Sequence, residues 1–185
     1  MAVNRLSEIE GCVLGYLAVE GQATPYSVRR VFLQSPNPQW SGSAGTIYPL
    51  IRRLLAQKLV RAQEVMTGRR RGQAVRITRI GERRLKEWFT VPVPDWVAGV
   101  PPDPLRTRIR FLGALAPAEQ RRFIRSAYRE TEKQLRSVER DSRQPGRDRY
   151  TALTSRGALL SMRARRQFLQ EAAEVLGVPL YRAMP

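Results

Sequence analysis

The sequence predicts a mainly α chain in which a small β-hairpin interrupts a series of helices. Three observations carry this. Apolar residues recur at intervals of three and four along most of the chain, the period drops to two only around residues 60–78, and helical spacing then returns through residue 176. Turn formers mark the joints. Pro92, Pro94, Pro101, Pro102 and Pro104 crowd the stretch between Thr90 and Pro104, which divides the chain into an expected first domain (1–90), a linker (91–104) and a second, helical domain (105–185).

The first helix is expected from about Ser7 to Val19, because Ser7 and Glu10 form a capping-box pair ahead of Ile9, Val13 and Leu17, and Gly21 stops the run. Thr24 with Pro25 opens a second helix through Tyr26, Val28, Val31 and Phe32, since proline at the first helical position gives up no backbone hydrogen bond. It should end before Pro36.

The third helix holds Ile47, Leu50, Ile51, Leu54 and Leu55 on one face and Thr46, Tyr48, Arg52, Arg53 and Ala56 on the other. One face wants a core, and the other suits an anionic polymer. Its start is open between Ser43 and Thr46, because Pro49 lacks the N–H that the Gly45 carbonyl would receive; capping by Thr46 keeps Pro49 in the first turn and is the cheaper choice by up to ~3 kcal/mol. A strand from Val60 to Met66, a turn Thr67–Gly72 carrying Arg69, Arg70 and Arg71, and a strand from Gln73 to Thr78 follow. Thr78 then caps a fourth helix through Glu82, Leu85, Trp88 and Phe89.

Helix, helix, helix, hairpin is the order of a winged helix-turn-helix, in which the third helix enters the major groove and the hairpin is the wing. Residues 43–60 (SAGTIYPLIRRLLAQKLV), the wing TGRRRGQAVRIT and the following ITRIGERRL resemble the DNA-binding domain of the PadR family of bacterial transcription regulators. The matching positions are Ser43, Gly45, Thr46, Ile47 and Tyr48, then Leu59 and Val60, then Thr78 and Gly81. The resemblance implies a regulator that binds double-stranded DNA, expected here as a homodimeric repressor on a pseudo-palindromic operator. A small-molecule effector of open identity is also implied.

Beyond the linker, expected to be ordered and non-helical and to carry Trp96, a short helix from about Leu105 to Leu115 should turn Ile109 and Leu112 inward. Pro117 opens a long helix on which Ile124, Tyr128, Thr131, Leu135 and Val138 form a coiled-coil-like seam. Gln144-Pro145-Gly146-Arg147 breaks it, and a second long helix from about Arg149 carries Leu153, Leu160, Ala164, Phe168, Ala172 and Leu176 until Gly177 and Pro179 end it. Thin amphipathic helices bury little alone, so these seams are expected to pack on each other, on helix one and on a second subunit. This layout is similar to the PadR dimerisation region, with Ile124, Tyr128, Leu135, Val138, Leu160 and Phe168 as the dimer-forming residues.

Composition limits the chemistry. Net charge is +17, spread as +9 over residues 1–90 (15 Lys/Arg, 6 Asp/Glu) and +8 over residues 91–185 (18 and 10), which favours an anionic partner. The absence of His excludes His-dependent triads and His-ligated metals, and the single Cys12 lies in an apolar run that suits a buried hydrophobe. No cofactor, metal or catalytic group is expected. The N-terminus has no apolar core of a signal peptide and no run reaches membrane-spanning length, so a cytoplasmic protein without membrane contact is expected.

The DNA-facing set is expected to be Tyr26, Ser43, Thr46, Tyr48, Arg52, Arg53, Arg69, Arg70 and Arg71. Trp88 and Trp96 are read as pinning the linker rather than forming a ligand pocket. A nonspecific nucleic-acid-binding structural protein is the alternative, since it would be equally basic.

Overall fold

The computed structural model describes residues 5–34, 44–67, 70–144, 146 and 148–180. It divides into two compact units, residues 1–101 and 102–185. The division falls near the end of the expected linker, so residues 91–101 belong with the first unit.

Helix α1 (Glu8–Glu20) starts as its sequence dictates. The Ser7 Oγ accepts from Glu10 N at 3.4 Å, and the Glu10 carboxylate accepts from Ser7 N at 2.8 Å and Ser7 Oγ at 2.9 Å, so both halves of the capping box are made. Helix α2 (Pro25–Gln34) begins with Ser27 N donating to Thr24 Oγ1 at 3.1 Å.

Helix α3 (Ala44–Ala56) begins earlier than the cheaper expectation, two residues before Thr46, and Pro49 lies inside it. Thr46 is therefore not the cap. Gly45 is exposed, so its carbonyl, which Pro49 leaves without a backbone donor, costs less than a buried one would. Beyond Ala56 the helix closes with Leu59 N on Leu54 O at 3.0 Å and Lys58 N on Leu55 O at 2.9 Å, a Schellman pair that holds Lys58 in the left-handed region at φ 59°.

Strands β1 (Val60–Thr67) and β2 (Arg70–Ile77) pair antiparallel, with Val60 opposite Ile77 and Met66 opposite Arg71. The second strand starts three residues earlier than expected. Arg70, Arg71 and Gly72 continue the ladder instead of forming the turn, because pairing that begins at Val60–Ile77 propagates along both strands to their ends. Ala23 exchanges backbone hydrogen bonds with Val75 at 2.8 and 3.1 Å, tying the α1–α2 connection to the hairpin.

Helix α4 (Arg79–Trp88) is capped by Thr78, whose Oγ1 accepts from Gly81 N at 3.1 Å and donates to the Lys58 carbonyl at 2.7 Å. A Cβ on Gly81 would collide with the Leu59 carbonyl oxygen. The Thr78-x-x-Gly81 spacing is thus a packing requirement: threonine ties the strand entry to the helix, and glycine lets backbone meet backbone. On α1, Gly11 serves the same end, since the Trp88 ring occupies the space a Cβ would need. Val13, Leu14, Leu17, Val28, Phe32, Ile47, Leu50, Ile51, Leu54, Val60, Val75 and Leu85 form the core beneath these elements. Cys12 packs against it, and burial, with a smaller contribution from Glu8, pushes its thiol up to about 11.

The expectation of a non-helical linker is corrected by a single turn, α5 (Asp95–Ala98), which Pro94 precedes in extended conformation. In the second unit, Asp103 caps α6 (Pro104–Arg110), accepting from Leu105 N at 2.9 Å, and a 3₁₀ turn (Leu112–Ala114) follows. Ile109 and Leu112 face inward as expected. Helices α7 (Pro117–Ser142) and α8 (Arg149–Val175) pack on each other. Arg163 reaches Glu139 at 3.5 Å and Arg166 reaches Glu132 at 3.7 Å across that seam.

The α7 seam follows the sequence, with Ile124, Tyr128, Thr131 and Leu135 buried and Val138 half-buried. The α8 seam does not. Leu159, Leu169 and Ala173 face α7, whereas Leu153 and Leu160 are 67% and 50% exposed. Leu159-Leu160, Phe168-Leu169 and Ala172-Ala173 are apolar doublets, so spacing alone supports either register. The observed one sets Arg163 and Arg166 beside carboxylates of α7.

Candidate nucleic-acid interface

The apolar face of α3 is anchored by Ile47, Leu50, Ile51 and Leu54, all 3% exposed or less, and this fixes what the other face presents. Tyr48 is 38% exposed, Arg52 is exposed, and Thr46 is half-buried. Tyr26 on α2 is 60% exposed. A rigid helix with a tyrosine hydroxyl and an arginine fork on its outer surface has the donors that phosphate oxygens and base edges accept.

Arg53 is placed differently. Its Nε donates to Glu10 Oε1 at 2.9 Å, joining α3 to the capping box of α1, while the side chain stays 52% exposed. Burial pushes the Glu10 carboxyl up, but the Ser7 hydrogen bonds and the Arg53 charge outweigh it and leave the group below its ordinary value. Arg53 therefore positions the helix, whatever else its free edge touches.

In the hairpin, Arg71 is exposed and lies opposite Met66. Ser43 and Arg69 lie outside the described residues, as does the side chain of Arg70. The register brings out a pair that sequence reasoning missed: Arg61 and Arg76 sit directly opposite each other and both are exposed. Like charges so placed are unfavourable to the sheet by up to ~1 kcal/mol, and a bound anion would relieve them. Counting outward from Val60–Ile77 would have found them.

Of the expected dimer-forming residues, Ile124, Tyr128 and Leu135 are taken up by packing within the second unit, and Val138 is half-buried. Leu160 and Phe168 share a face of α8 with Tyr150, Leu153, Gly157 and Ala164, at intervals of three and four. Tyr150, Leu153 and Leu160 on that face are each at least half exposed.

A groove of about 680 Å³ within the first unit is lined by Trp88, Phe89, Val93, Trp96 and Val97, with Arg5 and Arg84 also in its wall. Trp88 is held by its Nε1 donating to Glu8 Oε1 at 3.2 Å, and Trp96 is 61% exposed. Trp88 thus pins α4 to α1 rather than the linker, and with Trp96 it lines a groove where none is expected from the sequence. Among the described residues, no group of three or more Cys, Asp and Glu is placed to hold a metal, and no helix is long and apolar enough to cross a membrane.

Residues 103–177 match the family described as the C-terminal region of virulence activator alpha. Bacillus subtilis PadR in complex with operator DNA superposes with a TM-score of 0.75 at 16% identity, over 92% of this chain and 99% of that one. A PadR-like transcriptional regulator from Bacillus cereus gives 0.71 at 17% identity, over 95% and 99%. Bacillus subtilis PadR in complex with p-coumaric acid gives 0.69 at 16% identity, over 94% and 99%. None of the curated proteins matches by sequence. The chain has the fold of these PadR structures, a winged helix followed by a helical unit.

Proposed function

We propose that the chain is a PadR-family transcription regulator that binds double-stranded DNA through α3 and the β1–β2 hairpin. The observation that carries this is the basic, tyrosine-bearing face of α3, held outward by a fully buried apolar face and followed by a hairpin studded with arginine. The operator complex of the B. subtilis protein of the same fold supports it. Tyr48 and Arg52 make the principal contacts, Thr46, Ser43 and Tyr26 flank them, and Arg69, Arg70 and Arg71 reach phosphate or minor groove from the wing.

In this reading the protein is a cytoplasmic homodimer and a repressor. The exposed stripe on α8 with Tyr150, Leu153 and Leu160, which Phe168 continues half-buried, supports the dimer, because a helix with apolar residues on two faces needs two partners. A two-fold dimer places two copies of α3 on a pseudo-palindromic site about one duplex turn (~34 Å) apart. Release by a small molecule is supported by the aromatic groove of Trp88 and Trp96 and by the p-coumaric acid complex of the B. subtilis protein.

Footprinting on the DNA flanking the chain's own gene tests the reading. Protection of an inverted repeat with half-sites one turn apart is expected. Even protection without preference over random duplex would favour the nonspecific structural protein instead.

A further inference from the structure

We propose that the outer face of α7 is a second phosphate-binding surface, which grips duplex DNA in addition to the face formed by α3 and the hairpin. The proposal rests on the reading of the chain as a duplex-binding protein, and concerns a different unit of it. Arg122, Arg125, Arg129, Lys133, Arg136 and Arg140 recur at intervals of three and four, so they line one face of α7 over about 27 Å of helix axis. All six are exposed.

Acidic residues of the same helix are kept off that line. Glu132 and Glu139 are turned toward α8, where they meet Arg166 and Arg163. Glu130 lies 3.8 Å from Lys133, and Glu132 also comes within 3.7 Å of Arg136, both at the edge of the stripe. Arg125 has a second task, its Nε donating to the Pro179 carbonyl at 2.9 Å. Among the described residues, Arg122, Arg129 and Arg140 have no acidic partner. The second unit as a whole carries 18 Lys/Arg against 9 Asp/Glu, net +9.

Like charges four residues apart on a helix disfavour it, and Arg125–Arg129, Arg129–Lys133 and Arg136–Arg140 are such pairs. An anionic polymer laid along the face relieves that repulsion and releases its own counterions. Five of the six cations are arginine, whose planar fork suits phosphate oxygens. A lipid surface fits less well, because the opposite face of α7 buries Ile124, Tyr128 and Leu135 inside the unit and leaves nothing to insert between acyl chains. A second copy of the same face would be repelled.

The test uses the full-length protein and a 60-base-pair mixed-sequence duplex in anisotropy titrations at several KCl concentrations. The triple variant R122Q/R129Q/R140Q is compared with wild type and with Y48A/R52A, and each is also titrated against phosphatidylserine-containing vesicles. The triple variant should melt like wild type, bind the duplex about tenfold or more weakly, and lose close to three units of salt slope, about one per phosphate contact. Y48A/R52A should lose its preference for promoter DNA and keep a salt-steep residual affinity that the triple substitution removes. Unchanged affinity and slope in a folded triple variant overturns the α7 surface and leaves the α3 reading standing. Loss confined to vesicle binding overturns it in favour of a membrane contact. A wild type that binds no duplex overturns both readings together.

Discussion

Arg53 on α3 and Glu10 on α1 meet at 2.9 Å, so the helix proposed to read DNA is fastened to the first helical turn of the chain. Glu10 is 8% exposed and also accepts from Ser7, which makes one carboxylate both a cap and a clamp. Glu10→Ala should destabilise the protein by about 1–2 kcal/mol in urea melts, the sum of a lost cap and a half-exposed ion pair.

The same carboxylate sets a pH dependence. Its folded pKa lies below the ordinary carboxylate value, so its contribution to stability is fully present above the unfolded pKa of about 4.3 and is lost as pH falls through the lower, folded value. Urea melts between pH 3 and 7 should show an acid limb that Glu10→Gln flattens; an unaltered limb would remove Glu10 from its origin.

Gly81→Ala drives a methyl group into the Leu59 carbonyl oxygen, at a place where Thr78 already ties helix to strand. Because the obstacle is backbone, relaxation is limited, and a loss of about 2–4 kcal/mol is expected. Gly113→Ala, with open space around the added carbon, should be nearly silent.

Lys58 holds a left-handed conformation that glycine adopts without strain. Lys58→Gly should raise stability by about 0.5–1 kcal/mol, less than the relieved strain because glycine also frees the unfolded chain. Thermal melts would show it as a small upward shift; a downward one would mean that the lysine stem contributes packing.

On α8, Leu159 and Leu160 make opposite predictions despite being neighbours. Leu160→Lys should convert the dimer to a folded monomer in light scattering, since Leu160 is half exposed. Leu159→Lys should damage the fold itself, since Leu159 is 7% exposed against α7. Retention of the dimer by a folded Leu160→Lys protein would remove the stripe from the interface.

The parts of this structure legible in the sequence are those that local chemistry decides. Ser7 with Glu10, Thr24 with Pro25, and Thr78 each bear a side chain that serves the backbone N–H three residues on, so helix starts could be read directly. The start of α3 could not, because Pro49 argues for a late start and the observed helix carries it beyond the first turn. The facing edge of α8 was hidden by its apolar doublets, which only packing against α7 resolves. In the candidate site, Tyr48 and Arg52 follow from helical periodicity, whereas the partner of Arg53 lies 43 residues away and no spacing rule reaches it.

The central claim is that α3 reads DNA, and a mobility-shift titration of promoter DNA with wild type and the Tyr48→Ala/Arg52→Ala variant tests it most directly. Both side chains lie on the outer face, so the variant should fold as wild type does. Loss of one to three kcal/mol per contact predicts a fall in affinity of about 100-fold. A folded variant that binds the promoter fragment as tightly as wild type would contradict the account.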